Sequence, residues 1–129
     1  MESKIQLGKS DARRLRSLLD AQQRTAHDRN DYALLHDEVD RAALVDDVAL
    51  PASVVAIDST VVVFDLRSGA LERYTVVLPD QADIAQRRIS VLAPLGTALL
   101  GGRVGDIVEW DMPGGPRRLS IEAVLRSEE

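Results

Sequence analysis

The chain has 129 residues, of which 45% are hydrophobic but only 3% aromatic, and its 21 acidic and 16 basic side chains leave a net charge of −5. That length suits one domain, or a small domain with an appendage, built on an aliphatic core. The charge disfavours direct nucleic-acid binding, which relies on a dense Lys/Arg surface. With no cysteine, disulfides, thiolate metal sites and thiol nucleophiles are excluded. The chain does not open on an apolar stretch of signal-peptide type, and no apolar run is long enough to span a bilayer, so a cytoplasmic protein without membrane attachment is expected.

In "KSDARRLRSLLDAQQRT", Leu15, Leu18 and Leu19 follow helical spacing. Ser10 is the expected N-cap, and Asp11 lies near the positive end of the helix. The pattern predicts an amphipathic helix from about Ser10 to Thr25, about 16 residues or roughly 24 Å long. In "NDYALLHDEVDRAALV" the arrangement returns, with Leu35, Val39 and Ala42 on one face. Two such helices joined by the polar "AHDRND" read as an antiparallel hairpin, a short coiled coil over residues 1–50. Pro51 holds Leu50 extended and closes the segment.

From residue 51 the period shortens to two. "TVVVFDL" and "LERYTVVL" flank "RSGA" and predict a β-hairpin. "DIVEWDM" and "RRLSIEAVL" flank "PGGP" and predict another, with Val108, Trp110 and Met112 alternating with Glu109 and Asp111, and Leu119, Ile121 and Ala123 alternating with Ser120 and Glu122. Between them "RISVLAPLGTALLGG" reads as a short strand, then a helix of about two turns begun by Pro94 and ended by Gly101 or Gly102. The whole is an α+β chain whose second part, residues 51–129, is an antiparallel sheet with one short helix.

Candidate chemistry is sparse. Asp28 and Asp31 at the tip of the hairpin could offer carboxylates to Mg²⁺, which often takes only one or two from protein. The same pair fits a loop in which Asn30 or Asp31 caps the second helix and Asp28 stays solvated beside Arg29. His27 and His36 have neither metal-ligand spacing nor Cys partners and read as surface histidines. "PLGTALLGGRVGD" lacks the Lys-Ser/Thr of a phosphate-binding loop, so its glycines read as a helix end and turns. Neither a catalytic residue, a bound metal nor a cofactor is expected.

"ISVLAPLGTALLGGRVGDIVEW", followed by "PGG" and a closing strand, resembles the C-terminal domain of the Gre transcript-cleavage factors. Over the whole chain, including "SGALERYTVVLP", "DARRL" and "EVDRA", the similarity is greatest to the Rnk branch, the regulators of nucleoside diphosphate kinase. The resemblance implies an FKBP-like fold and a partner, bacterial RNA polymerase, bound at the coiled coil on the rim of its secondary channel. It places the contact on the loop before the short helix, here Leu92, Ala93 and Pro94, where cleavage factors commonly carry polar Asp and Ser at the first two positions. The related prolyl isomerases use a ring-lined pocket, for which Phe64, Tyr74 and Trp110 are too few.

The expected function is a non-enzymatic transcription regulator that competes with Gre-type factors, with a Rnk-like influence on nucleoside diphosphate kinase. The alternative is a factor stimulating transcript cleavage through Asp28 and Asp31. The arm of the cleavage factors is longer than roughly 24 Å, so this tip is expected to stop short of the polymerase metal and to touch the channel wall at most.

Overall fold

The computed structural model describes residues 5–22, 37, 39–112 and 115–126. Strand β1 (Gln6–Gly8) leads directly into helix α1 (Lys9–Gln22), and strand β2 (Ala43–Val45) follows helical backbone at residues 39–41. Two hairpins form from the alternating segments. Strands β3 (Thr60–Asp65) and β4 (Leu71–Val77) make the first, and β6 (Ile107–Met112) and β7 (Gly115–Leu125) make the second. The short strand β5 (Arg88–Ser90) and helix α2 (Pro94–Leu99) lie between them in sequence. The five longer-domain strands form one sheet in the order β5-β4-β3-β7-β6, so the fold is mixed α+β.

Alternation gives this sheet a dry face. Val61, Val63, Val76, Leu119 and Ile121 are buried on it with Leu99 and Leu100 from the helix segment. Leu7, Leu15, Leu19 and Val39 join the same hydrophobic cluster, so the base of the arm and the sheet share one core. Fully burying side chains of this kind contributes about 1.5–3 kcal/mol each.

Three sequence expectations change. The sheet is not wholly antiparallel, because β5 pairs with β4 in parallel. The short 3-10 turns Pro79–Gln81 and Ile84–Gln86 carry the chain back to start β5 beside Thr75. The second arm helix does not extend through Val45. Residues 43–45 are strand β2, paired in parallel with β1, and the Ala43 N–H donates to the Ile5 carbonyl at 2.9 Å. Ser10 is not an N-cap, since α1 begins at Lys9 and the Ser10 N–H is itself satisfied by Asp47 Oδ1 at 3.0 Å.

Elsewhere the elements agree with the pattern. Pro94 occupies the first turn of α2, and Gly101, at φ +79°, follows its end. Leu15 and Leu19 are buried and Leu18 is half-buried. Phe64 and Tyr74 are half-buried strand residues. The hairpin tip with His27, Asp28, Asp31 and His36 lies outside the described residues.

Candidate functional site

Leu92, Ala93 and Pro94 fall together on one tight connection between β5 and α2. Val91 continues the strand, its N–H donating to the Val77 carbonyl at 2.9 Å. Ser90 then turns the chain. Its hydroxyl accepts the Leu92 N–H at 2.9 Å and its carbonyl accepts the Ala93 N–H at 3.0 Å. The buried Thr97 reaches back from α2, its hydroxyl donating to the Val91 carbonyl at 2.6 Å and its N–H to the Ala93 carbonyl at 2.9 Å. At Gly96 a Cβ would lie 2.0 Å from the Ser90 carbonyl oxygen, so the helix can approach the turn this closely only with glycine there.

The turn is therefore fixed by its own backbone, and its three side chains are available for other work. Leu92 is half-buried and packs against the core with Leu95, Ala93 is half-buried, and Pro94 is exposed at the crest. None of the three carries a side-chain hydrogen-bonding group. The surface they make can recognise a partner through shape and apolar contact, where buried aliphatic area is worth about 25 cal/mol per Å². Leu92, Ala93 and Pro94 are candidates through the resemblance alone, and Ser90, Gly96 and Thr97, which hold that turn, emerge only from the structure. A glycine inside a helix of six residues is the one signal of a close approach.

A second set of contacts joins the arm to the sheet. Asp11 Oδ2 accepts the Ile57 N–H at 3.0 Å, and its other oxygen pairs with Arg14 at 3.0 Å. Asp47 Oδ1 covers the Ser10 N–H at the start of α1, and this bond is the main reason the Asp47 carboxyl is held below its ordinary pKa. A Cβ at Gly8 would lie 2.7 Å from that same oxygen. Arg126 binds the Leu50 and Pro51 carbonyls, tying the end of β7 to the junction.

At the far end of the first hairpin, Asp65 accepts the Arg67 N–H at 2.8 Å and the Ser68 N–H at 3.2 Å and pairs with Arg117. The two backbone bonds, then the guanidinium, lower its pKa. Tyr74 is shifted the other way, chiefly by burial and then by its hydroxyl bond to Glu72. Among the described residues no group of three or more His, Asp or Glu could hold a metal ion. No helix among them is long and apolar enough to cross a membrane.

Residues 50–126 match the family described as "Transcription elongation factor, GreA/GreB, C-term". The chain is 40% identical over 81 residues to the regulator of nucleoside diphosphate kinase of Escherichia coli (strain K12), covering 63% of this chain and 60% of that protein. It is 45% identical over 76 residues to the transcription elongation factor GreA of Nitratidesulfovibrio vulgaris, covering 59% and 46%. The alignments thus span less than two thirds of these curated relatives. A solved structure of a prokaryotic transcription elongation factor GreA/GreB from Nitrosomonas europaea matches with a TM-score of 0.79 at 36% identity, over 96% of this chain and 99% of that one.

Proposed function

The chain belongs to the GreA/GreB transcription elongation factor family, and from that premise we propose that it is a non-enzymatic transcription regulator that docks on bacterial RNA polymerase through Leu92, Ala93 and Pro94. Its partner surface is the coiled coil at the rim of the secondary channel. The second part of the chain, residues 51–129, is the FKBP-like docking module. The arm within residues 1–50, whose described parts are α1 and the β1–β2 pair at its base, is presented at the channel entrance, where it excludes other Gre-type factors. The setting is the cytoplasm, and the influence on nucleoside diphosphate kinase follows from the Rnk likeness as an indirect effect of transcription.

The observation that carries this reading is the loop. It is held by Ser90, Gly96 and Thr97 so that an exposed proline and a half-buried leucine stand on a preformed crest. A preformed surface loses little conformational freedom on binding, which favours affinity from a small apolar contact. A charge placed on the crest should be tolerated in the free protein, because Pro94 is exposed, and should be buried unpaired in the complex.

Co-purification with core RNA polymerase tests the reading. Wild type is expected to be retained at micromolar concentration and Pro94→Asp to be retained at least about tenfold more weakly, with unchanged circular dichroism. Failure of the wild type to bind, or equal binding of the variant, would overturn docking through this loop.

A further inference from the structure

Among the described residues the five-stranded sheet carries the core on one face, while the other stays exposed or half-exposed except at Val77, which is buried. Residues that alternate with its buried valines stand on the opposite face, and strand register aligns them. Arg88, Thr75, Thr60 and Leu125 share one row, and Arg73, Val62 and Ala123 share the next. Leu71, Phe64 and Ile107 extend the apolar surface towards the hairpin end. Leu71 is 66% exposed, Ile107 60% and Leu125 51%. At the Leu125 end an open groove of about 530 Å³ runs between Leu125 and Arg88, lined mostly by polar side chains, Thr60, Thr75, Gln81 and Arg126.

Charge on this face is uneven. On the β7 and β6 side, Arg118 is paired with Glu109 at 3.1 Å, and Glu122 at the bulge holds the Ser120 hydroxyl at 2.7 Å. On the β4 and β5 side, Arg73 and Arg88 are exposed and make no side-chain ion pair among the described residues. Asp58, at the rim of the groove, and Asp83, bridged to Arg88 by two backbone bonds of 2.9 Å, are carboxylates on that margin. The result is an apolar centre with a cationic edge, on a chain whose net charge is −5.

We propose that this outer face is a second docking surface, separate from the Leu92–Pro94 crest, and that its occupant is an acidic amphipathic helix of a partner protein. The central strands already spend their backbone groups on neighbouring strands, so an added segment has to bring a backbone satisfied within itself, as a helix does. Its apolar residues at i, i+3, i+4 and i+7 cover Val62, Phe64, Leu71 and Ala123. Asp or Glu on the helix flank meet Arg73 and, at the mouth of the polar groove, Arg88. A second copy of this chain would instead bring a like face with a like cationic edge.

Selection against the immobilised full chain from a displayed library of random peptides of about 16 residues, long enough for four helical turns, tests the proposal. Enriched peptides are expected to carry apolar residues at helical spacing with an excess of Asp and Glu. Their affinity is expected to fall at least about tenfold on the doubly substituted Arg73→Glu plus Arg88→Glu protein, as for loss of charge-assisted contacts at a hot spot. Arg13→Glu, a charge reversal on the arm, is expected to leave it within about twofold. Enrichment of basic or uncharged peptides, affinity retained by the double variant, or no enrichment at all would overturn the proposal. A sedimenting dimer that Leu71→Ser dissociates would overturn it in favour of self-association.

Discussion

The crest before α2 and the base of the arm are both fixed ends of helices, yet they are fixed by opposite means. The crest is closed by bonds within residues 90–97, from backbone groups, two hydroxyls and a glycine. The arm is held by carboxylates reaching across the chain, Asp47 to the Ser10 N–H over 37 positions and Asp11 to the Ile57 N–H over 46. The first arrangement uses no ionised group, although Leu92 packs against the core that α1 shares. The second includes the Asp47 carboxylate, held below its ordinary pKa by the Ser10 bond, so acid should loosen the arm before it alters the crest.

The largest break in this contrast is expected at Gly96. Gly96→Val drives side-chain atoms into the Ser90 carbonyl, and overpacking of this kind should cost about 3 kcal/mol, read as a lower urea midpoint. A stability equal to wild type would show that the turn is not closed by that approach. Thr97→Val is nearly isosteric but leaves the Val91 carbonyl without its hydroxyl partner, at about 1–2 kcal/mol. Its effect should appear as faster amide exchange at Leu92, Ala93 and Thr97, with the arm unaffected.

At the arm the expected losses are smaller. Asp11→Ala removes the acceptor of the Ile57 N–H and should cost about 1 kcal/mol, with exchange accelerated at Ile57 and along α1 and unchanged in the crest. An equal acceleration in both regions would contradict their independence.

The smallest effect is on pH dependence. Asp47 and Asp65 both have folded pKa values below the ordinary carboxylate value, so the stability they supply is fully present above about pH 4, the unfolded value. It is lost as the pH falls through the lower folded values. Thermal unfolding should therefore show little slope from these groups near neutrality and a decline at acid pH, and Asp47→Asn should shallow that decline. An unaltered acid limb would contradict the role of Asp47.

How far these features can be read from the residues follows from the range of the forces involved. The two hairpins are legible because Val61 and Val63, and Leu119 and Ile121, alternate with exposed or half-exposed residues, although Gly115 and Pro116 of "PGGP" belong to β7 itself. Pro94 and Gly101 bracket α2 through local backbone preferences. Strands β1, β2 and β5 are three residues each, too short to show a period, and nothing local distinguishes a parallel from an antiparallel partner. The helical pattern of the second arm helix runs on over Ala43, Leu44 and Val45 because those residues suit either state. Pairing with Gln6, Leu7 and Gly8 decides it. The capping of α1 by Asp47 is equally hidden, since Ser10 offers a plausible local cap and Asp47 lies 37 positions away.

The candidate site divides in the same way. Leu92, Ala93 and Pro94 are legible through their likeness to the Gre loop, while Thr97 and Gly96 become important only when α2 folds back on Ser90. Asp28 and Asp31 lie outside the described residues, and their proposed place at the channel wall rests on the short arm expected from sequence.

The most direct measurement is competition between the full chain and a labelled Gre-type cleavage factor for core RNA polymerase, with wild type and the Pro94→Asp and Asp28→Asn plus Asp31→Asn variants compared side by side. Wild type is expected to displace the factor, the tip variant to do so within about twofold of wild type, and Pro94→Asp to need at least about tenfold more protein. Equal displacement by wild type and Pro94→Asp would contradict docking through the crest.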